Sequence, residues 1–173
     1  MLKKYLSAII VAGAAVLALI FGLILPGAAY TSEVLGRTTT ITVNFLGLVF
    51  GGATVTKQTG NTTSTATITG GMSTMGLISF LALIAGIALV VVSIFVKGKK
   101  FDFIGSICIA VAGVLAFFLL TGGTDVTTTL GGLAIPFTEA FEDYSLGAGA
   151  IIYGIVATLG GAFGIVNNFK KLV

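Results

Sequence analysis

Four stretches of the chain, residues 5–25, 75–96, 103–120 and 146–166, contain no Asp, Glu, Lys or Arg. At about 1.5 Å per helical residue each covers the roughly 30 Å of bilayer hydrocarbon. Backbone groups in hydrocarbon must be bonded within their own segment, so each run is predicted to be a helix. The expectation is an integral membrane protein, residues 1–173 forming one domain with four crossings. Composition agrees: 56% of residues are hydrophobic, 9% are charged and the mean hydropathy is +1.14, whereas a soluble domain carries about 25% charged residues.

The first run competes with a second reading. Lys3 and Lys4 precede it and Pro26-Gly27-Ala28-Ala29 follows, as in a signal peptide with its cleavage site. The run is longer than the roughly 7 to 15 residues of a typical signal-peptide core, which favours a retained helix. Lys3, Lys4, Lys97, Lys99, Lys100, Lys170 and Lys171 fall on one side of a four-crossing arrangement, leaving Arg37 and Lys57 on the other. By the positive-inside pattern both termini are expected in the cytoplasm of a multi-pass protein of the plasma membrane. Residues 26–74 and 121–145 are then extracellular, and mildly acidic through Glu33, Asp125, Glu139, Glu142 and Asp143.

Residues 38–69 are nearly uncharged and crowded with Thr, Val, Ile and Phe, which suit a pleated, half-buried surface. Residues 38–50 read as one long strand or two broken near Gly47, and Gly51-Gly52 ends the run. Residues 53–58 and 62–69 flank Thr59-Gly60-Asn61, a hairpin signal. Three or four antiparallel strands are expected, with residues 125–130 adding an edge strand. A low-complexity stalk is the competing reading, but Ile41, Val43, Phe45, Leu48, Val49 and Phe50 are too apolar for one.

After Pro136 the period becomes helical. Phe137, Phe141 and Tyr144 follow at i, i+4 and i+7, so a short amphipathic helix carries three rings on one face. Packing on the sheet or the lipid surface is one reading of these rings; facing a partner is the other. Phe45, Val49, Phe50, Phe137, Phe141 and Tyr144 form the candidate set for self-association or partner binding.

Chemistry is poorly supplied. There is no histidine or tryptophan, and Cys108 is the one cysteine, so no intrachain disulfide can form. The apolar runs hold no charged residue of the kind that marks proton relays and intramembrane proteases. No nucleophile, base and orienting group can be assembled, so an enzyme is not expected, nor a cofactor. Glu139, Glu142 and Asp143 lack the spacing of a cation-binding loop and read as a solvated face. The basic residues sit beside apolar runs rather than in a stripe, so no nucleic-acid role is assigned. Asn61-Thr62-Thr63 is a glycosylation sequon. Small residues are plentiful in the runs, and Gly154, Gly160, Gly161 and Gly164 are candidates for close helix packing, the GxxxG pair being Gly160 and Gly164.

The expected fold class is a membrane all-α four-helix bundle with a small extracellular antiparallel β-sheet. In this it resembles the claudin-like tetraspan superfamily. Gly47-Leu48-Val49-Phe50 stands where claudins carry Gly-Leu-Trp, the Thr59-Gly60 turn follows, and Tyr144-Ser145-Leu146-Gly147, Tyr153-Gly154 and Gly160-Gly161 are similar to the family's entry into its fourth helix. The cysteine pair and tryptophans of the family's first outer segment have no counterpart here. The resemblance implies a five-stranded outer sheet on a left-handed bundle, and polymerisation into strands that join cells.

The leading expectation is therefore a structural or adhesion protein whose outer sheet meets other copies, laterally or across apposed membranes, with membrane lipid as its other partner. A second reading is an accessory subunit that binds another membrane protein, a transporter, channel or secretion complex, through glycine-rich helix faces. A third is a passive pore whose five outer acids favour cations.

Overall fold

The computed structural model describes residues 2–34, 37–67, 69–96, 99–127 and 134–172. In chain order the elements are helix α1 (Leu2–Ile24), strands β1 (Pro26–Val34) and β2 (Arg37–Asn44), helix α2 (Phe45–Phe50), and strands β3 (Thr54–Thr59), β4 (Thr62–Thr67) and β5 (Thr69–Gly70). Helices α3 (Thr74–Val96) and α4 (Lys99–Ala116) follow, then β6 (Val126–Thr127), β7 (Ala134–Ile135), α5 (Phe137–Ala140), β8 (Ser145–Leu146) and α6 (Ala148–Leu172).

Among the described residues, three helices are long and apolar enough to cross a membrane, over Leu6–Ile24, Thr74–Val96 and Ala148–Phe169. The chain is thus a membrane protein. The helix α4 begins with Lys99, Lys100 and Asp102 and is 18 residues long. Past Ala116 it tightens: Phe117, Phe118 and Leu119 donate to the carbonyls of Val114, Leu115 and Ala116, three residues back. The run predicted as helix over 103–120 is therefore helix to Ala116 and tight turns beyond. These turns bring Gly123 to bridge Ser73, at the start of α3, so the far end of α4 returns to the level at which α3 began. Side by side, α3 packs on α4, α4 on α6, α6 on α1 and α1 on α3. Large apolar side chains such as Leu81, Phe95, Val114, Leu159 and Phe163 point outward and stay exposed.

Glycine sets the helix spacing. A Cβ at Gly161 would strike the Ala110 amide, one at Gly113 would strike Thr158, and one at Gly160 would stand 2.6 Å from Ala14 Cβ. Two hydroxyls tie α3 to its neighbours. Ser73 Oγ donates to the Leu119 carbonyl at 2.5 Å, and Ser79 Oγ to that of Ala112 at 2.7 Å. The Tyr153 hydroxyl on α6 donates to the Ser79 carbonyl at 3.3 Å.

The main sheet has the order β4-β3-β2-β1-β8, antiparallel throughout. Its first strand starts where Pro26 ends α1, a stretch the sequence pattern did not mark as strand. The β3–β4 hairpin forms as predicted, with Thr59 opposite Thr62 and Gly60 at φ +57° supplying the left-handed turn residue. Residues 45–50 are helix rather than the predicted strand. Phe45, Leu48 and Val49 are all buried, the i, i+3, i+4 face of one helical turn. The second segment also departs from expectation. Val126 and Thr127 pair with β5 and β7 in a separate three-stranded sheet, while β8 completes the main one; residues 128–130 lie outside the described residues. The predicted amphipathic helix is shorter than its ring pattern, since α5 ends at Ala140 and Phe141 to Asp143 form a turn.

The packing gives a paired test. Gly161→Leu should destabilise the protein in detergent by about 1–3 kcal/mol or more, by overpacking the α4–α6 contact. Gly13→Leu, where an added Cβ meets nothing within 4 Å, should leave the thermal midpoint nearly unchanged.

Candidate interaction surface

The sheet is held at one edge and open at the other. The short strand β8 lies beside β1, with Ala28 opposite Leu146 and Ala29 opposite Ser145, and Ser145 Oγ donates to the Ala29 carbonyl at 3.0 Å. Because β8 runs straight into α6, that edge is closed. At the other end, β4 pairs only with β3. All six of its residues, Thr62 to Thr67, are exposed, so both faces and the outer row of N–H and C=O groups meet solvent. Natural edge strands carry charges, proline or bulges that discourage pairing. Thr-Thr-Ser-Thr-Ala-Thr carries none.

Threonine lines the inner registers too. Thr39 and Thr59 hydroxyls are 3.2 Å apart across β2 and β3, and Thr42 Oγ1 reaches the Thr56 carbonyl at 3.5 Å. The charges nearby are sparse. Lys57 on β3, with Arg37 and Glu33 beside the β1–β2 turn, are exposed.

The six residues predicted for self-association divide sharply. Phe45 (1% exposed), Val49 (0%), Phe137 (2%) and Phe141 (5%) are core side chains. With no surface to offer a partner they leave the set. The Phe45 ring packs on Tyr153 with centroids 5.1 Å apart, wedging α2 against α6. Phe137 and Phe141 stack at 4.8 Å, and a Cβ at Gly123 or Gly71 would meet them, so they fill the space under the small sheet beside buried Val126. Tyr144 is half-buried between Phe141 and Tyr30, at 5.2 and 5.6 Å. Burial, and secondarily the Tyr30 phenol, pushes its hydroxyl above the ordinary tyrosine value. Phe50 alone is open, at 52% exposure, its ring edge-on to Phe80 at 5.1 Å. It stands where α2 meets α3.

Gly154, Gly160, Gly161 and Gly164 all lie at contacts within the chain: Phe117 and Gly113 for the first, Ala14, Ala110 and Ser106 for the others. Glu139, Glu142 and Asp143 are exposed, and among the described residues no group of three or more His, Cys, Asp or Glu side chains comes together. Asp102 falls between the second and third charge-free runs, where the sequence offers no sign of burial, yet it belongs to α4 and is 8% exposed. Ser106, four residues on, donates its Oγ to the Asp102 backbone carbonyl at 2.7 Å.

No protein-family model matches this chain, and no curated protein matches it either.

Removing the Phe45 ring should show its structural role. Phe45→Ala is expected to cost about 3–5 kcal/mol, as for other buried phenylalanines, while Phe50→Ala should cost well under half of that. Chemical or thermal unfolding in detergent measures both.

Proposed function

We propose that the chain is a four-crossing structural or adhesion protein of the cell membrane, whose sheet lies outside the cell and joins copies of itself through the free edge of β4. The observation that carries this is the six-residue β4 edge, uncharged, unbulged and exposed on both faces. A hairpin edge of that kind is the surface to which another strand adds. The fourth crossing in this reading is α4, supported by the Ser73–Gly123 bridge, which sets the residues after α4 beside the start of α3.

Orientation is supported by the lysines at the helix ends away from the sheet, which on the positive-inside pattern are cytoplasmic. A five-stranded sheet seated on packed helices supports the resemblance to the claudin-like superfamily. An accessory subunit that binds another membrane protein through glycine-rich helix faces is the alternative; Gly154, Gly160, Gly161 and Gly164 meet other parts of the chain, while Gly13 has nothing within 4 Å.

Chain direction separates the two ways copies can meet. The strand β4 descends from its tip at Thr62 toward the helices. Copies in one membrane would align their β4 strands in parallel, whereas copies in facing membranes would align them antiparallel. Two identical edges meet through a two-fold axis: along the strand it turns equivalent residues to opposite faces, so residues of adjacent number share a face, while across the sheet it sets the residue at the axis beside its own equivalent. Single cysteines at residues 62–67, in a Cys108→Ser background, tested alone and mixed in adjacent pairs, therefore report the mode. Disulfides only in mixtures of adjacent positions are expected for lateral pairing, and a homodimer disulfide at one position for pairing between membranes. Purified protein that stays monomeric in mild detergent and in lipid at every concentration, with no crosslink at any position, would rule self-association out.

A further inference from the structure

The helix ends away from the sheet contain side chains that packing leaves incomplete. Ser7 on α1, Asp102 on α4 and Asn168 on α6 are 5%, 8% and 2% exposed. Among the described residues, Ser7 Oγ, Asp102 Oδ1 and Asn168 Nδ2 have no hydrogen-bond partner. Buried polar atoms are nearly always paired, so each of these needs an explanation.

Helix register brings the three together. A Cβ at Gly164 on α6 would touch Ser106 on α4 and Val11 on α1. Four residues make about one helical turn. One turn toward this end, Gly164 leads to Asn168, Ser106 to Asp102 and Val11 to Ser7. The contacts one turn the other way, Gly160 with Ala14 and Gly161 with Ala110, keep the same register. The neighbouring polar side chains are already engaged: Ser106 Oγ with the Asp102 carbonyl at 2.7 Å, and Ser93 Oγ on α3 with the Val90 carbonyl at 2.6 Å. One carboxylate, one amide and one hydroxyl, from three helices, share a layer with bonding capacity to spare.

The chemistry of the layer selects its occupant. An Asn side-chain amide presents oxygen or nitrogen by a half-turn about its last bond, so three oxygens can converge. A single carboxylate among neutral oxygens balances one positive charge, whereas a divalent cation would keep half of its charge uncompensated in a buried layer. Lys3, Lys4, Lys99, Lys100, Lys170 and Lys171 lie farther toward the same helix ends and make the surroundings positive. An ion here is therefore held by direct coordination rather than by the surrounding field. We propose that Ser7, Asp102 and Asn168 form a site for one monovalent inorganic cation, sodium or potassium, clamping α1, α4 and α6 together.

The test is thermal unfolding of the full chain in neutral detergent, in sodium, potassium or N-methyl-D-glucamine chloride at equal ionic strength, so that general screening cancels. The midpoint should rise by about 5 °C, saturably, in at least one alkali salt over the glucamine salt, and the stronger of the two names the ion. Asp102→Asn should abolish the difference. Should that variant fail to fold, Ser7→Ala decides, with an expected shift of about tenfold in the concentration needed for half the effect. Identical midpoints in all three salts would mean that water or a lysine ammonium fills the layer, and would overturn the proposal. Undiminished alkali dependence in either variant would place the ion elsewhere and overturn it equally.

Discussion

Backbone-to-backbone approach between helices is the contact on which the remaining architecture rests. Lipid tails are as apolar as leucine, so side-chain hydrophobicity alone gives helices in a bilayer no reason to associate; close van der Waals contact does. At the α4–α6 crossing, Gly113 faces Thr158 and the Gly154 carbonyl, and Gly161 faces Ala110 and Ser106. Between α3 and α4, a Cβ at Gly86 or at Gly105 would stand 2.9 Å from the other glycine's carbonyl. With α1 set against Gly160 and Gly164, the α3–α4, α4–α6 and α1–α6 crossings each pack where a side chain is absent. Bulk is turned outward instead, toward lipid.

That arrangement dictates where the sheet can hang. Since α1 and α6 are neighbours, the strands attached to them, β1 and β8, emerge side by side and pair. The junction is tight: Gly147 donates to the Gly27 carbonyl at 2.9 Å, and Gly149 abuts the Leu25 and Pro26 carbonyls. Buried Phe45 then bridges the sheet-end helix α2 to Tyr153 of α6. The sheet therefore grows away from a fixed root, strand by strand from β1 to β4. A roughly thirty-residue sheet standing alone would bury too little to be stable. Here its rooted side shares the helices' core, through Ala28, Val43 and Ala53, and the cost of an open edge falls on the far side.

Much of this was legible from residue types. Charge-free runs and glycine spacing marked the long helices, and Thr59-Gly60-Asn61 marked the hairpin, because a two-residue turn needs a left-handed residue and Gly60 provides it. What escaped has physical causes. Residues 45–50 form a short apolar run, and in so short a run periodicity does not separate one helical turn from a buried strand; only the packing of Phe45, Leu48 and Val49 on the neighbouring helices decides. Ala28 to Val34 lacks the β-branched density that flagged residues 38–43, and becomes a strand because β2 and β8 supply partners on both sides. The rings of Phe137 and Phe141 had the spacing of a presented face, but glycines at 71 and 123 open a space that draws them in. Asp102 looked like a linker acid because nothing local reveals that a helix crossing will cover it.

On the proposed reading, the uncharged character of β4 answers a constraint that a membrane imposes. Copies anchored in one bilayer share a single up direction, so two that met edge to edge would set their β4 strands parallel, each residue close to its own equivalent. A lysine or glutamate on that strand would then lie near an identical charge, and like charges across a strand pair destabilise a sheet. Threonine and serine have no such conflict, since one hydroxyl can donate while its twin accepts, and β-branched threonine keeps the strand extended. A soluble protein with the same edge would be free to add strands in any orientation. Anchorage restricts the available encounters, which lets an edge remain open without inviting indiscriminate association. The composition of Thr62 to Thr67 suits the proposed self-pairing under that restriction, and it is also the composition that loses least when no neighbour is present.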